Sequence, residues 1–463
     1  LRIWQDAVQI IPHYVLTGSG FGTFLDVFPE YKRFADSLIY DHAHNDYLEL
    51  LIEGGLIGFL LLAWFLGAVL RRGWQQLCIR HDRQALLVAL AALSGIAGLL
   101  FFSLTDFNLH NWANGFYLFF LCGLLISAGH TRAHSRQQTL LSPVTSPGKA
   151  RAVLFLGAAV FLVVQLRFQG GELLAARHYE RAHKVSVALS TKPEKQLARM
   201  AELLEQARKN APFNGDYAYA LANVRQYQQQ KQQALQLRTA ALRQQPLEGA
   251  FLQATGQALA ETELAKAEIL METGYVRAKL KDGAFRIWVE FELAGGRRER
   301  ATRIMRQELQ EYPRLLNSIS SLLLEYRFSR AETVAILPEL TSAWLNCATL
   351  ARSAGNEADA GYFTERALEF IDQEAKAQPQ FFLQVYTYYQ QHQQEEQAVA
   401  VLREGIRHVP TYALFHTYLG DYYQGKDIPY RAIEEYEQTL LIQPNDAAVQ
   451  KKLQQLKRKQ AGG

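Results

Sequence analysis

The residues best suited to chemistry lie in one short run, Asp41-His42-Ala43-His44-Asn45-Asp46-Tyr47-Leu48-Glu49, continuing as Leu50-Leu51-Ile52-Glu53-Gly54-Gly55. Two imidazoles and four carboxylates share these 15 positions. A short helix from about His44 to Ile52, capped by Asp41 or His42, puts Asn45, Glu49 and Glu53 on one face at i, i+4 and i+8. Leu48, Leu51 and Ile52 give it an apolar face, and Gly54-Gly55 permits a break before the next helix. Three chemistries fit the residue types. A histidine tuned by a neighbouring carboxylate can act as a general base. His42, His44, Asp46 and Glu49 can ligate a metal, although no further ligand cluster occurs at suitable spacing. The histidines can also simply tolerate an interface.

The elements that must position this run are of two kinds. The chain has 463 residues, 49% hydrophobic and 20% charged, with a net charge of +4. Its mean hydropathy of −0.12 is ordinary, but the apolar residues are unevenly spread. From residue 85 to 128 Asp106 alone carries a formal charge, whereas from Glu172 onward charges recur every few residues and glutamine abounds. A purely cytosolic enzyme, a collagenous chain and a disordered tail are excluded. The mild positive balance makes no case for nucleic acid. Cys78, Cys122 and Cys347 lie far apart and suggest neither a disulfide framework nor a zinc site. The chain opens on Leu1-Arg2-Ile3-Trp4 without an initiator Met, and is expected to be the C-terminal part of a longer membrane protein.

Four stretches read as membrane spans, roughly residues 56–70, 86–104, 113–128 and 152–168. The second is long enough alone; the others need interfacial residues such as Trp74, Trp112 or Tyr117. Loop 71–84 carries Arg71, Arg72, Arg80 and Arg83 against Asp82, and loop 129–151 carries Arg132, Arg136, Lys149 and Arg151 with no acid. Loop 105–112 has one Asp and no Lys or Arg. The positive-inside rule makes both basic loops cytoplasmic. Segment 1–55, loop 105–112 and everything after residue 168 are then expected on the opposite side, the periplasm of a Gram-negative cell.

The second half repeats. Pro212 and Pro246 are 34 residues apart, as are Pro410 and Pro444, the period of the tetratricopeptide helix–turn–helix unit. The clearest copy, 413–446, places Leu419, Gly420 and Tyr423 in its first helix and Ala432 and Tyr436 in its second. Weaker copies are expected at 181–214, 249–281 and 282–315, a degenerate pair at 316–340, and a capping helix at 447–459.

The stretch His42-Ala43-His44-Asn45, with Tyr47, Leu48, Leu51, Glu53, Gly55 and Gly58, resembles the signature of the bacterial O-antigen ligase / O-antigen polymerase family. Arg2-Ile3-Trp4, Leu16-Thr17-Gly18-Ser19-Gly20-Phe21-Gly22 and Phe28-Pro29-Glu30-Tyr31 resemble the same family's large periplasmic loop, so the resemblance spans about residues 1–128. It implies transfer of a glycan from undecaprenyl diphosphate to an acceptor hydroxyl on a lipid A–core sugar, a growing polysaccharide or a protein serine. No cofactor, nucleotide or metal is implied. By the same resemblance His44 takes the acceptor proton or orients the acceptor, and Arg2 steadies the diphosphate together with arginines expected before residue 1.

The remaining candidates surround this pair. His42, Asn45 and Glu49 are expected to bind substrate, Lys32 and Arg33 to meet headgroups or diphosphate unless simply solvated, and His110 to line the glycan path with Asp106, Asn108 and Asn111. Gly18-Ser19-Gly20-Phe21-Gly22 lacks the Lys-Ser/Thr of a phosphate loop and reads as a tight turn. The expected architecture is all-α: a periplasmic loop at 1–55, four membrane helices at 56–170 and a periplasmic repeat solenoid at 171–460 that binds protein partners. The rival reading is a non-enzymatic, membrane-anchored scaffold for envelope polysaccharide assembly. Within the enzyme class, an exopolysaccharide polymerase and a protein O-oligosaccharyltransferase stay open.

Overall fold

A computed structural model describes residues 2–34, 38–79, 82–128, 148–186 and 193–461, and among these there is no strand. Arg80 and the basic positions Arg132 and Arg136 lie outside the described residues, as do the side chains of Lys149 and Arg151. The chain divides into two compact units, Leu1–Trp288 and Val289–Gly463.

The first unit begins with α1 (Arg2–Ala7), a 3₁₀ turn (Val8–His13) and α2 (Phe24–Tyr31), followed by four apolar helices, α3 (Asp46–Ile79), α4 (Arg83–Phe102), α5 (Trp112–Ala128) and α6 (Gly148–Ser186). Of these, α3, α4 and α6 are long and apolar enough to cross a membrane. The fourth, α5, has 17 residues. At 1.5 Å per residue it spans about 25 Å, just short of a ~30 Å hydrocarbon core. Ala89, Ala92 and Ile96 of α4 pack against Leu118, Cys122 and Leu125 of α5, with Leu66 and Val69 of α3 completing the cluster. The alanines let the backbones approach, as in membrane helix pairs. Along α6, Phe155, Phe161, Leu162 and Val163 are exposed, the pattern of a helix whose solvent is lipid.

The span expected at 152–168 does not stop there. No proline interrupts 169–186, and α6 continues to Ser186, so the last apolar helix becomes the first helix of the repeats without a linker. Ala175 packs with Ala207, Ala211 and Tyr217, and Ala182 with Ala201, Leu204 and Leu221. The copy expected at 181–214 therefore begins inside α6; its residues 187–192 lie outside the described residues.

After α7 (Pro193–Asn210), helix pairs start at Gly215, Gly249, Lys281, Leu316, Thr341, Pro379 and Ala413, and a terminal helix runs Ala447–Ala461. The spacings are 34, 32, 35, 25, 38, 34 and 34 residues. The single short interval, 316–340, is the expected degenerate pair. In the second unit Ala432 and Tyr436 are fully buried. A methyl group on Gly420 would sit 2.5 Å from the Tyr436 ring, which is why the position takes a residue without one. The Tyr436 hydroxyl donates to Asp421 at 2.7 Å, satisfying the ring's only polar atom.

Candidate active site

The break foreseen at Gly54-Gly55 is present, and it organises the site. Gly55 sits at φ 62, ψ −169, inside what is otherwise one 34-residue helix. The chain at 14–20 threads this gap. Leu56 N donates to Val15 O at 2.8 Å and Ile57 N to Leu16 O at 3.1 Å, while Ser19 N and Gly20 N donate to the carbonyls of Ile52 and Glu53. The groups that a helix break orphans are thus satisfied by the loop. A Cβ on Gly55 would lie 2.4 Å from Gly18 N, and one on Gly18 only 2.1 Å from Glu53 O. Neither glycine tolerates a side chain. The tight turn expected at 18–22 packs on this helix gap.

Glu53 secures the same turn from below. Its side chain is 2% exposed and accepts from Gly22 N and Phe24 N, both at 2.9 Å. The Trp4 indole donates to Ala43 O at 2.8 Å, and Ala7, Ile10, Phe24, Val27, Phe28, Ala43 and Ile52 form the core beneath the histidine segment.

The helix begins at Asp46, two residues later than expected. Asn45 Oδ1 accepts from Tyr47 N and Leu48 N at 3.1 and 3.0 Å, so Asn45, rather than Asp41 or His42, is the cap. Its amide donates to Leu104 O at 3.0 Å, and Asp46 N donates to Ser103 O. The start of α3 is thereby fastened to the end of α4. The residue before the cap, His44, has φ 52, a left-handed backbone that costs a non-glycine residue roughly 1–2 kcal/mol.

That backbone turns His44 outward. Its side chain is 47% exposed, with Nδ1 3.2 Å from Asp106 Oδ1 and the ring edge-on to Phe107 at 5.0 Å. Asp106 accepts also from Phe107 N at 2.9 Å. That backbone N–H, and then the His44 ring, hold its carboxyl below the usual range. A carboxylate on Nδ1 fixes the tautomer that leaves Nε2 to take a proton.

The other histidines turn inward. His42 Nδ1 lies 2.7 Å from Glu49 Oε1, and Glu49 Oε2 accepts from Ala43 N at 2.9 Å. His110 places Nδ1 2.9 Å from Asp46 Oδ1 and Nε2 3.3 Å from Glu49 Oε1. Asp46 Oδ2 accepts from Leu109 N at 2.9 Å. The hydrogen bond to Asp46 is the main cause of a raised His110 pKa; burial opposes it and the charge of Glu49 adds to it. The His42 ring stacks on Phe107 at 4.5 Å, so one aromatic ring separates the outward histidine from the inward pair.

Residues 1–63 match the O-Antigen ligase family model. The resemblance read over 1–128 is met over this shorter segment, which holds the threaded loop, the histidine run and the helix break. No curated protein sequence matches the chain. Solved structures similar to it include a tetratricopeptide repeat protein from Parabacteroides merdae, at 15% identity, covering 60% of this chain and 99% of that one with a TM-score of 0.24. PilF of Pseudomonas aeruginosa is 14% identical, covering 47% of this chain and 99% of its own, with a TM-score of 0.27. The repeat architecture itself rests on the helix spacing and packing described above.

The expected site residues separate into groups. His42, His44, Asn45, Glu49 and His110 come together at one end of α3, α4 and α5. Glu49 is buried, at 1% exposure, and faces the two imidazoles instead of the outside. Lys32 and Arg33 are used by the loop itself. Lys32 lies over the Phe34 and Tyr40 rings and donates to Leu38 O. Arg33 donates from its backbone to Asp6 at 2.9 Å and from its guanidinium to Gln9. Arg2 is exposed at the start of α1; among the described residues no hydrogen bond or ion pair links it to the histidines. Asn108 accepts from Asn114, and Asn111 from Ala113 N, local roles at the start of α5. The sequence offers Asp46 only as a metal ligand and gives no signal for Phe107. Asp46 stood in the run, but its partner lies 64 residues away, and Phe107 carries no polar signal at all.

Two ion pairs join the loop to the repeats within the first unit. Arg277 meets Glu30 at 2.9 Å, and Lys279 bridges Asp26 and Glu248 at 2.9 and 2.7 Å. Leu247 packs on the loop core.

Proposed function

We propose that the chain carries the acceptor-activating part of a membrane glycosyltransferase that moves a glycan from undecaprenyl diphosphate to an acceptor hydroxyl. The observation that carries this reading is the His44–Asp106 pair: a half-exposed imidazole, held by a carboxylate on one nitrogen, in a loop that matches the O-Antigen ligase model. In the reaction the acceptor oxygen attacks the anomeric carbon and its proton passes to His44 Nε2. The bond from the anomeric carbon to the diphosphate oxygen breaks, and the electron pair leaves with the diphosphate. Asp106 stabilises the imidazolium that forms. General-base catalysis of this kind contributes about 10²–10⁴-fold.

The arrangement proposed is a loop at 1–55, membrane helices at 56–170 and repeats at 171–460, in a multi-pass inner-membrane protein. Loop and repeats then lie together in the periplasm. In this arrangement four crossings return the chain to its starting side, and the Arg277–Glu30 and Lys279–Asp26 pairs between loop and repeats support it. The repeats are proposed to present a protein partner or acceptor. The same pairs favour a second reading, in which the repeats are the working part and the loop is their anchor. Replacing His44 by alanine separates the two. On the enzyme reading, glycan transfer is lost at unchanged protein level in the membrane. On the scaffold reading it persists, and deletion of 172–463 abolishes polysaccharide assembly instead.

A further inference from the structure

We infer that His42, Glu49 and His110 form a binding site for one divalent transition-metal ion of the zinc class. The inference does not rest on glycan transfer. The ligand atoms of the three side chains lie within 4.8 Å of one another, and both imidazoles aim at one oxygen, Glu49 Oε1, at 2.7 and 3.3 Å. A tetrahedral ion with bonds of ~2.0–2.1 Å holds its donors about 3.3 Å apart. The His110–Glu49 separation already has that value. His42 must open by about 0.6 Å and the two rings close by at most about 1.5 Å, shifts within reach of side-chain rotation.

The surroundings are those of a built site. Metal-bound histidines characteristically give their second ring N–H to a carboxylate. His110 does so, through Nδ1 to Asp46, leaving Nε2 for the ion. Both carboxylates are themselves anchored, Asp46 by Leu109 N and Glu49 by Ala43 N. The His42 ring is fixed by its stack on Phe107. Two imidazoles and one carboxylate, without thiolate, suit zinc, cobalt, nickel or iron(II), and not the all-oxygen preference of calcium or magnesium. The histidine side chains are 26% and 32% exposed, so a remaining coordination position is open to water or a substrate oxygen. The metal set imagined from sequence spacing differs: His44 is turned away to Asp106, Asp46 moves behind His110, and His110 arrives from the next outer loop.

The test uses the full chain, purified in detergent, stripped of metal and titrated with Co²⁺. The expected result is one equivalent bound with visible d–d bands of a nitrogen–oxygen ligand set, displaced by Zn²⁺. Affinity should fall about tenfold or more in Glu49→Gln and in His110→Ala and stay unchanged in His44→Ala. Wild-type chain that gives no d–d bands with excess Co²⁺ overturns the site, and needs no variant to fold. Bands whose strength and midpoint are the same in Glu49→Gln, His110→Ala and the wild type overturn it as well.

Discussion

The loop under the histidines and the helix pairs near the C-terminus keep their shape in opposite ways. In the loop, four buried carboxylates each grip backbone N–H groups: Asp6 takes Arg33 N, Asp46 takes Leu109 N, Glu49 takes Ala43 N, and Glu53 takes Gly22 N and Phe24 N. In the pair at 413–442, volume does the work: Phe415, Leu419, Ala432 and Tyr436 are buried to 1% exposure or less. Polar networks in a low dielectric are stiff when complete and costly when broken. That suits a segment that must aim one imidazole. Packed repeats share their load over many contacts, which suits a surface that only needs to be presented.

Substitutions sharpen this contrast. The largest effect is expected from Glu53→Ala, which removes the acceptor of both Gly22 N and Phe24 N and orphans the buried Phe24 N–H at about 1–3 kcal/mol. Limited proteolysis should then cut within residues 14–24 while the helices after Val289 stay protected. Cleavage spread equally over both regions would break the contrast. Ala432→Leu should do the reverse. Overpacking against the fully buried Tyr436 costs about 1–3 kcal/mol, read as a lowered melting transition of the second unit with the loop's protease resistance unchanged.

The smallest effect is a titration. Glu332 caps the helix Arg330–Ile336 with Ser329 and pairs with Arg298 at 2.6 Å. Arg298 first, then Ser329, hold its pKa down at about 2. Because the folded value lies below the unfolded one, the stabilisation is complete above pH ~4.5 and disappears as pH falls towards 2. The pair is about a third exposed, so the gain is modest. Thermal unfolding between pH 5 and pH 2 should lose a component that Glu332→Gln lacks throughout.

How legible each region was follows from the same physics. The repeats announce themselves because every 34 residues the same packing problem recurs, and the short interval at 316–340 shows as the place where the pattern weakens. The helix break was readable at Gly54-Gly55 because only glycine fits such a close approach. Spacing along one helix placed Asn45, Glu49 and Glu53 on a face, but not what covers it. The loop at 14–24 and His110 cover it, and no local rule links them. Lys32 and Arg33 look like free charges in sequence; their partners, Leu38 and Gln9, are contacts of the folded loop. The cap is Asn45 instead of Asp41 or His42 because Asn45 also reaches the carbonyl of Leu104, just past the end of α4, a tertiary bond.

The same left-handed residue supplies the decisive measurement. At φ 52 glycine is favoured over any side chain, so His44→Gly relieves backbone strain by about 1 kcal/mol while deleting the imidazole. Glycan transfer by membranes carrying His44→Gly, measured with and without added imidazole, separates chemistry from folding. The account predicts protein at wild-type level or above, transfer reduced about 10²–10⁴-fold, and partial recovery with imidazole. Transfer at the wild-type rate without imidazole would contradict it.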